Sequence, residues 1–357
     1  ASQVIDQDGT PDNMAANYSW NFDTVAPTNT CGDPANPIYA IQGSGASSPA
    51  LGIAQTIEGV VVGDFQRITG NNRLSGFFVQ QESTDGNPAT SDGIFVYEGA
   101  TSLLDVAVGN KVRLRGTVTE YADRTVGGGT FTEISSLSSL QQCGAGSVTA
   151  TAVTLPEPAN GDLERYEGML VSIASPMTVA QDYFVGRYGQ MTLSSGGRMY
   201  QPTNQFAPGS AQAIASADEN ARRTLILDDG MAVERCGDNP NPAPYLGGPP
   251  PAVIRAGDGV SNLVGVLDYG QIDSGETGGC NDPTALFTGD YRLHPTQSPV
   301  FTAQNPRSDT PPTVGGNLKV VSANALNFFN GDGNKGGFPT SRGASTFAEF
   351  VRQRIKF

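Results

Sequence analysis

Short runs of alternating apolar and polar residues, each bounded by Gly, Asn, Asp or Ser, dominate the first part of the chain. Runs of this length between turn residues predict short β-strands joined by tight connections. Five such runs fall in one stretch of the sequence: residues 57–62, 76–80, 93–97, 111–121 and 130–134. The first and fourth are long and interrupted by glycine. This arrangement is typical of an OB-fold, a small Greek-key β-barrel, and we predict one over residues 38–150.

The same order of runs recurs, with longer insertions, further along the chain. Residues 167–171 repeat the pattern of 58–62, and residues 257–269 repeat that of 109–121. Three further runs supply the remaining strands: residues 189–193, 224–228 and 291–294. Residues 211–223 have the composition of one short helix. We therefore predict a second, insertion-rich OB-like domain over 151–304, and an irregular β-sandwich is the alternative.

The last forty or so residues have a different pattern. A Pro-rich stretch at 305–316 predicts a linker, and residues 317–324 form a run typical of a buried strand. After a glycine-rich loop, Thr346 and Glu349 have the spacing of a helix-capping box, and apolar residues with helical spacing follow. One strand and one helix cannot bury a core, so we expect 317–357 to be the start of a domain that continues beyond these residues.

The predicted fold is therefore mainly β: two tandem OB-like barrels followed by one strand and one helix of a further domain. Residues 1–37 are predicted to be an irregular segment. Gly and Pro contribute 45 and 24 of the 357 residues, which fits many strands and turns better than helices. No apolar run approaches the roughly 20 residues that span a bilayer, so no membrane span is predicted.

Charge is distributed unevenly. The chain has a formal net charge of −14, whereas residues 317–357 carry six basic and two acidic side chains, which leaves −18 for residues 1–316. A surface this acidic excludes a protein that binds nucleic acid over its whole surface. Only four residues are lysine, and an acidic, lysine-poor surface suits salty or extracellular surroundings. The single histidine excludes His₂ and His₃ metal sites within this chain.

The chain has four widely spaced cysteines: Cys31, Cys143, Cys236 and Cys280. Their spacing argues against a zinc site and for two disulfides formed in an oxidising compartment. Of the three connectivities, we favour Cys31–Cys143 and Cys236–Cys280, because each pair then closes one domain; four buried thiols are the alternative. The first residues are Ala-Ser-Gln, which fits a mature end left by signal-peptide removal and equally a shortened chain. We therefore expect a secreted, extracellular protein.

An acidic stretch near the first residue resembles part of a calcium-binding loop. Asp6, Asp8 and Asp12 alternate with other polar residues and flank Gly9, which permits a sharp turn. No glutamate closes the loop in the way that a complete calcium site requires. The stretch is therefore either a calcium site or, as we favour, a solvated turn.

Beyond these patterns, the chain resembles a known family through several short motifs that occur in order. They lie at residues 41–49, 58–61, 90–96, 155–158, 291–296, 305–307 and 317–330. The motifs resemble secreted bacterial endonucleases of the ExeM/NucH type, in which an OB-like region precedes a nuclease domain of the endonuclease/exonuclease/phosphatase superfamily, the fold of DNase I. The resemblance runs from about Cys31 to the last residue.

This resemblance implies a metal-dependent phosphodiesterase that acts on extracellular DNA with Mg²⁺ or Mn²⁺. In the superfamily, the asparagine that ends the first strand helps to bind the metal and the scissile phosphate, and that residue is Asn324 here. The family's other ligands, a glutamate and two histidines, have no counterpart among these residues. The resemblance therefore implies that residues 1–357 alone have no catalytic residues of their own and do not cleave DNA.

Three further residues are candidates for function. Arg113 and Arg115 share one face of a predicted strand, and with Phe77 or Phe78 they could bind single-stranded DNA, as OB-folds do. We favour solvated arginines and core phenylalanines because the surrounding region is strongly acidic. His294 is interpreted as a hydrogen-bonded structural residue rather than a catalytic one.

Two non-enzymatic functions remain as alternatives. In one, the chain is an extracellular structural or assembly protein, and residues 318–322 pair with the sheet edge of another subunit in a homo-oligomer. In the other, it is a calcium- or carbohydrate-binding adhesion module.

Overall fold

The computed structural model describes most of the chain in two compact units that divide after Pro306. This division lies inside the stretch predicted as a linker. Residues 29–66, 74–99, 102–122, 128–231, 254–272, 287–306, 308, 310, 313–318, 320, 327–340 and 343–356 are described. The described part is mainly β, as predicted.

Five strands of the first unit close into a barrel. They are β1 (Ala54–Phe65), β2 (Gly76–Gln80), β3 (Gly93–Tyr97), β4 (Asn110–Tyr121) and β5 (Phe131–Ala145). Their order around the barrel is β1-β2-β3-β5-β4, and β1 pairs again with β4. All neighbours are antiparallel except β3 and β5, which are parallel.

The barrel interior is filled by the apolar positions that the sequence pattern marks. Ile57, Phe77, Ile94 and Leu114 are fully buried in one cluster, which the short helix α1 (Ile38–Gln42) covers through Ile38 and Ile41. Strand β5 is much longer than predicted. Its second half is rich in Ser and Gln and is held by pairing with β4 rather than by burial.

A nine-stranded sheet contains the remaining strands of this unit's described residues. They are β6 (Thr151–Val153), β7 (Leu170–Ile173), β8 (Met177–Gln181), β9 (Met191–Ser195), β10 (Thr224–Leu227), β11 (Gly259–Ser261), β12 (Val264–Ile272), β13 (Thr288–Pro295) and β14 (Val300–Thr302). Their order is β14-β11-β8-β9-β10-β13-β12-β7-β6. The predicted strand at 167–171 begins only at Leu170, because Gly168 has a left-handed φ of 77° that breaks the extended chain.

Two pairs of short strands bring distant parts of this sheet together. Strands β7 and β8 follow one another after three residues, and β11 and β12 after two. Strand β7 pairs with β12, and β8 pairs with β11, both antiparallel. Each pair therefore acts as one interrupted strand that links the two ends of the sheet. The sheet consequently curves back on itself and surrounds a core that includes Val171, Leu193, Leu227, Leu267 and Leu293.

Helices are short and lie between strands. Two turns are 3₁₀-helical, at Asp162–Tyr166 and Pro202–Asn204, and helix α2 spans Val185–Tyr188. Helix α3 (Ala211–Arg223) occupies the predicted residues, and the Ser210 hydroxyl accepts a hydrogen bond from the Ala213 amide at its N-terminus.

The barrel and the nine-stranded sheet pack tightly against each other inside the first unit. The backbones of Gly93 and Gly168 approach so closely that a Cβ on Gly93 would collide with the Gly168 carbonyl group. An apolar cluster that includes Phe65, Phe78 and Val266 joins the two sheets. The Leu170 amide also donates to Gln80 Oε1 at 2.8 Å.

The second unit contains helix α4 (Phe347–Lys356) and the glycine-rich loop before it. The predicted N-terminal cap is present, since Thr346 Oγ1 accepts from the Glu349 amide at 3.1 Å. The Glu349 carboxylate accepts from the Ser345 amide at 2.7 Å, one residue before the amide that a capping box would use. Of the predicted strand 317–324, only residues 317, 318 and 320 are described. They lie outside any strand, and Leu318 and Val320 are 82% and 84% exposed. A strand needs a hydrogen-bonding neighbour, and the described residues of this unit supply none.

Candidate functional site

A buried ion cluster lies where the nine-stranded sheet meets the barrel. Strand β13 carries Arg292 and His294, β12 carries Asp268, and Asp228 follows β10. His294 Nε2 lies 2.9 Å from an Asp268 oxygen, and His294 Nδ1 lies 3.3 Å from an Asp228 oxygen. The Arg292 guanidinium binds both Asp268 oxygens, at 3.0 and 2.7 Å. Two cations and two anions therefore neutralise each other inside the protein.

The electrostatics of this cluster keep all four groups charged. Burial lowers the pKa of His294, but Asp268 and Asp228 together outweigh burial and raise this pKa to about 9. Burial likewise raises the pKa of Asp268, while Arg292 and His294 shift it in the opposite direction, to well below its ordinary value. The pKa of Asp228 is also lowered, against its burial, by His294. His294 is thus an imidazolium at neutral pH.

The cluster is buried against the barrel and closed to solvent. His294 is fully buried, and its ring lies 5.4 Å from the ring of Phe65 and 6.3 Å from that of Phe78, both in the barrel. Gln190 Nε2 and the Gly230 amide also donate to the Asp228 carboxylate, both at 2.8 Å. An imidazolium without access to solvent cannot act as a general base, so the geometry favours the structural interpretation of His294.

Glu167 is a further buried acid, and it lies between the sheets. Its Oε1 accepts from the Thr132 amide of β5 at 3.0 Å, whereas its Oε2 has no hydrogen-bond partner among the described residues. Burial, followed by the nearby Glu164, raises the pKa of Glu167 well above its ordinary value. We therefore assign a neutral carboxyl group to Glu167 at neutral pH.

An open cleft of about 480 Å³ lies on the barrel surface. It is formed where β3 ends, beside the last residues of β4 and the first half of β5. Tyr97 and Tyr121, 42% and 51% exposed, contribute to its walls together with Glu98, Glu120 and Glu133. It is a surface cleft with an aromatic and acidic lining.

The expectation that Arg113 is solvated is wrong. Its side chain is fully buried, and its guanidinium donates to the Asp33 and Pro34 carbonyl oxygens and to Glu58 Oε2. Arg115 is partly buried and donates to Thr56 Oγ1 at 3.0 Å. Phe77 and Phe78 are fully buried core residues. The guanidinium of Arg113 therefore holds the chain before α1 against the barrel and does not present itself to a phosphate.

The predicted disulfide between Cys31 and Cys143 is confirmed, with a Cα–Cα distance of 5.4 Å. The other predicted site residues lie outside the described residues: Cys236, Cys280, Asn324, Asp6, Asp8 and Asp12. Within the described ranges, no group of three His, Cys, Asp or Glu side chains is arranged to hold a metal ion. The described residues therefore do not form the divalent-metal site that the family resemblance implies, and we derive no catalytic step from them.

Sequence reasoning missed the partners of His294. The signal was available in part, because Arg292 and His294 are two residues apart in a strand and so lie on the same face. Asp268 is directly opposite Arg292 in the paired strand, a register that only the structure reveals.

Comparisons with protein-family models, curated proteins and solved structures give no match for this chain. No helix among the described residues is both long and apolar enough to cross a membrane.

Proposed function

We propose that this chain is the N-terminal, non-catalytic region of a secreted, metal-dependent endonuclease, in which two OB-like barrels precede the nuclease domain. Its role is to support and position that domain on extracellular DNA. The observation that carries the proposal is the repetition of one strand order in both sheets, taken together with the nuclease-like motif at residues 317–330.

The repetition is evident when the interrupted strands are counted as one. In the barrel, the order is β1-β2-β3-β5-β4, with β3 and β5 parallel. In the second sheet, the joined β7 and β8 correspond to the first strand, and the joined β11 and β12 correspond to the fourth. Strands β9, β10 and β13 are then the second, third and fifth, and β10 and β13 are parallel. This shared pattern supports two OB-like barrels in tandem.

The nuclease assignment rests on the sequence. The motif at 317–330 ends its predicted strand at Asn324, the position that binds metal and phosphate in the superfamily. Asn324 fits a site for Mg²⁺ or Mn²⁺ as an oxygen donor, but one amide oxygen cannot hold a hard cation alone. In this proposal, the remaining ligands and the DNA-binding surface come from residues other than these 357.

The charges favour DNA binding by the nuclease domain rather than by the barrels. Residues 1–316 carry a net charge of −18, which repels phosphate. The Arg113 guanidinium is bound to Glu58 and to two backbone carbonyl groups. The first barrel therefore does not present Arg113 and Arg115 as a pair for binding single-stranded DNA. The disulfide fits the oxidising compartment that secretion implies.

Plasmid nicking tests the proposal. We expect the 357-residue chain to leave supercoiled DNA intact with Mg²⁺, Mn²⁺ or Ca²⁺, whereas the mature native protein, isolated from its source, cleaves it in an EDTA-sensitive way. In the native protein, Asn324→Ala should lower kcat, while the exposed Asn334→Ala is the matched control and should not. Nicking by the 357-residue chain, or unchanged kinetics after Asn324→Ala, would contradict the assignment.

One observation favours a second candidate function, assembly through the segment around residues 318–322. Leu318 and Val320 are largely exposed apolar residues of the second unit. If they pair with another subunit, Leu318→Asp and Val320→Asp should convert an oligomer into a monomer in light-scattering measurements. A protein that is monomeric before substitution would rule this candidate out.

A further inference from the structure

We propose that the cleft on the barrel surface binds a small organic cation of the alkylammonium type. The cleft has a volume of about 480 Å³, within the range of small-molecule sites in proteins. It takes no part in the proposed nuclease chemistry, so the two proposals stand or fall separately.

The cleft exists because β5 leaves β3 after a short contact. The two strands pair only at Phe95 with Glu133 and at Val96 with Ile134. Two residues later, Ser136 adopts a left-handed φ of 50°, and the register between β4 and β5 shifts in the same region. Such an irregularity bends a strand and opens the sheet. The gap is therefore part of the strand pairing itself.

The polar lining of the cleft is negative. Glu98 and Glu133 contribute to it, and the described residues that line it include no Lys, Arg or His. Hydrogen bonds hold the carboxylates of Glu98 and Glu133, which accept from the Leu103 amide and the Thr119 hydroxyl. The Glu120 carboxylate lies on the other face of β4 from Tyr121, where the Ser48 amide and the Thr130 and Thr132 hydroxyls donate to it. A ligand here meets anchored negative charge, which selects cations.

The aromatic walls decide which kind of cation fits. Tyr97 and Tyr121 line the cleft, and the two side chains are 42% and 51% exposed. Aromatic faces attract ammonium groups through the ring quadrupole and also cover their alkyl parts. A hard metal ion needs several oxygen ligands at close range, and no three acidic side chains of the described residues are grouped in that way. The combination therefore favours an alkylammonium ion over Ca²⁺.

Calorimetric titration of the intact chain tests this assignment with four probes at low ionic strength: choline, its neutral isostere 3,3-dimethylbutan-1-ol, CaCl₂ and glucose. We expect saturable binding of choline and at least about tenfold weaker binding of the neutral alcohol, because the alcohol lacks the charge. Ca²⁺ should weaken choline binding only as much as NaCl of equal ionic strength does, and glucose should not bind.

Variants locate the site. Tyr97→Ala, Tyr121→Ala and Glu98→Gln should each weaken choline binding by several-fold, and the double tyrosine variant should abolish it. Tyr200→Ala is the matched control, since Tyr200 is 55% exposed and does not line the cleft. Circular dichroism of each variant shows whether it is folded. Because the comparison of choline with the neutral alcohol uses the unmodified chain, it remains decisive if a variant misfolds.

Four outcomes of the choline measurements would overturn the proposal: no saturable choline binding, equal binding of the neutral alcohol, stoichiometric displacement of choline by Ca²⁺, or unchanged affinity in the folded double tyrosine variant. Glucose binding that depends on the same tyrosines would instead assign the cleft to a carbohydrate and would equally overturn it.

Discussion

At the scale of single residues, His294 is a fully buried group that carries a charge. Its pKa is raised from an ordinary value of 6.5 to about 9, because Asp268 and Asp228 outweigh the effect of burial. A group with a raised pKa in the folded state binds its proton more tightly there than in the unfolded chain. Its contribution to stability is therefore complete below pH 6.5 and is lost as the pH rises through about 9.

We predict that the free energy of unfolding falls by about 3 kcal/mol between pH 6.5 and 9, the value that the shift implies. Chemical denaturation across this range measures it. His294→Gln should be less stable at pH 6.5 and should lose most of this pH dependence. Parallel stability curves for the two proteins would show that His294 is not charged in the folded state.

Arg113 is a second residue whose role depends on its surroundings rather than on its type. A buried guanidinium that binds two carbonyl groups and one carboxylate stabilises the chain before α1. In the same strand, Arg115 makes a hydrogen bond with Thr56 and remains partly exposed. Two arginines on one face of a strand thus have different functions, because only one of them lies under the N-terminal segment.

At the scale of elements, the disulfide connects the segment before α1 to the second half of β5. This half is held to β4 by backbone hydrogen bonds and buries little apolar surface, so the covalent link compensates for the lack of a core there. The hydrogen bond from the Gly32 amide to Glu58 Oε2, 2.8 Å long, strengthens the same junction.

We predict that Cys31→Ala combined with Cys143→Ala lowers the free energy of unfolding by up to about 4–5 kcal/mol, because the bridge closes a loop of 112 residues in the unfolded chain. Denaturant titration measures the loss. Adding a reductant to the double variant separates any contribution of Cys236 and Cys280. Equal stability of the oxidised protein and the double variant would contradict the prediction.

At the scale of the whole molecule, the barrel and the nine-stranded sheet behave as one compact unit, separate from residues 307–357. Their junction combines the close approach of Gly93 and Gly168, the shared apolar cluster and the ion cluster around His294. We infer that the two sheets unfold together, since neither can expose this junction without uncovering buried charges.

We predict that Gly93→Ala destabilises both sheets, by about 1–3 kcal/mol or more, because its Cβ would collide with the backbone of Gly168 and Met169. Gly186→Ala is the matched control, since nothing lies within 4 Å of the added Cβ. Hydrogen exchange followed by mass spectrometry measures both sheets at once. Loss of protection in the barrel alone would show that the two sheets are independent.

The sequence by itself determined much of the local structure. Strands β2 and β3 and helix α3 begin and end where the pattern predicts, because alternation, turn residues and capping act over a few neighbouring residues. The cap formed by Thr346 is correct for the same reason. The pairing of Cys31 with Cys143 was also predictable, because the proposed domain layout left each pair of cysteines within one domain.

The tertiary structure alone decided the rest. Whether Arg113 is solvated depends on a segment eighty residues away in sequence, and the partners of His294 depend on the register of three strands. The polar half of β5 is a strand only because β4 offers it hydrogen-bonding partners. The cleft beside Tyr97 and Tyr121 arises from where two strands separate. These features result from long-range contacts, whose energies no local pattern of residues encodes, and they are therefore visible only in the folded chain.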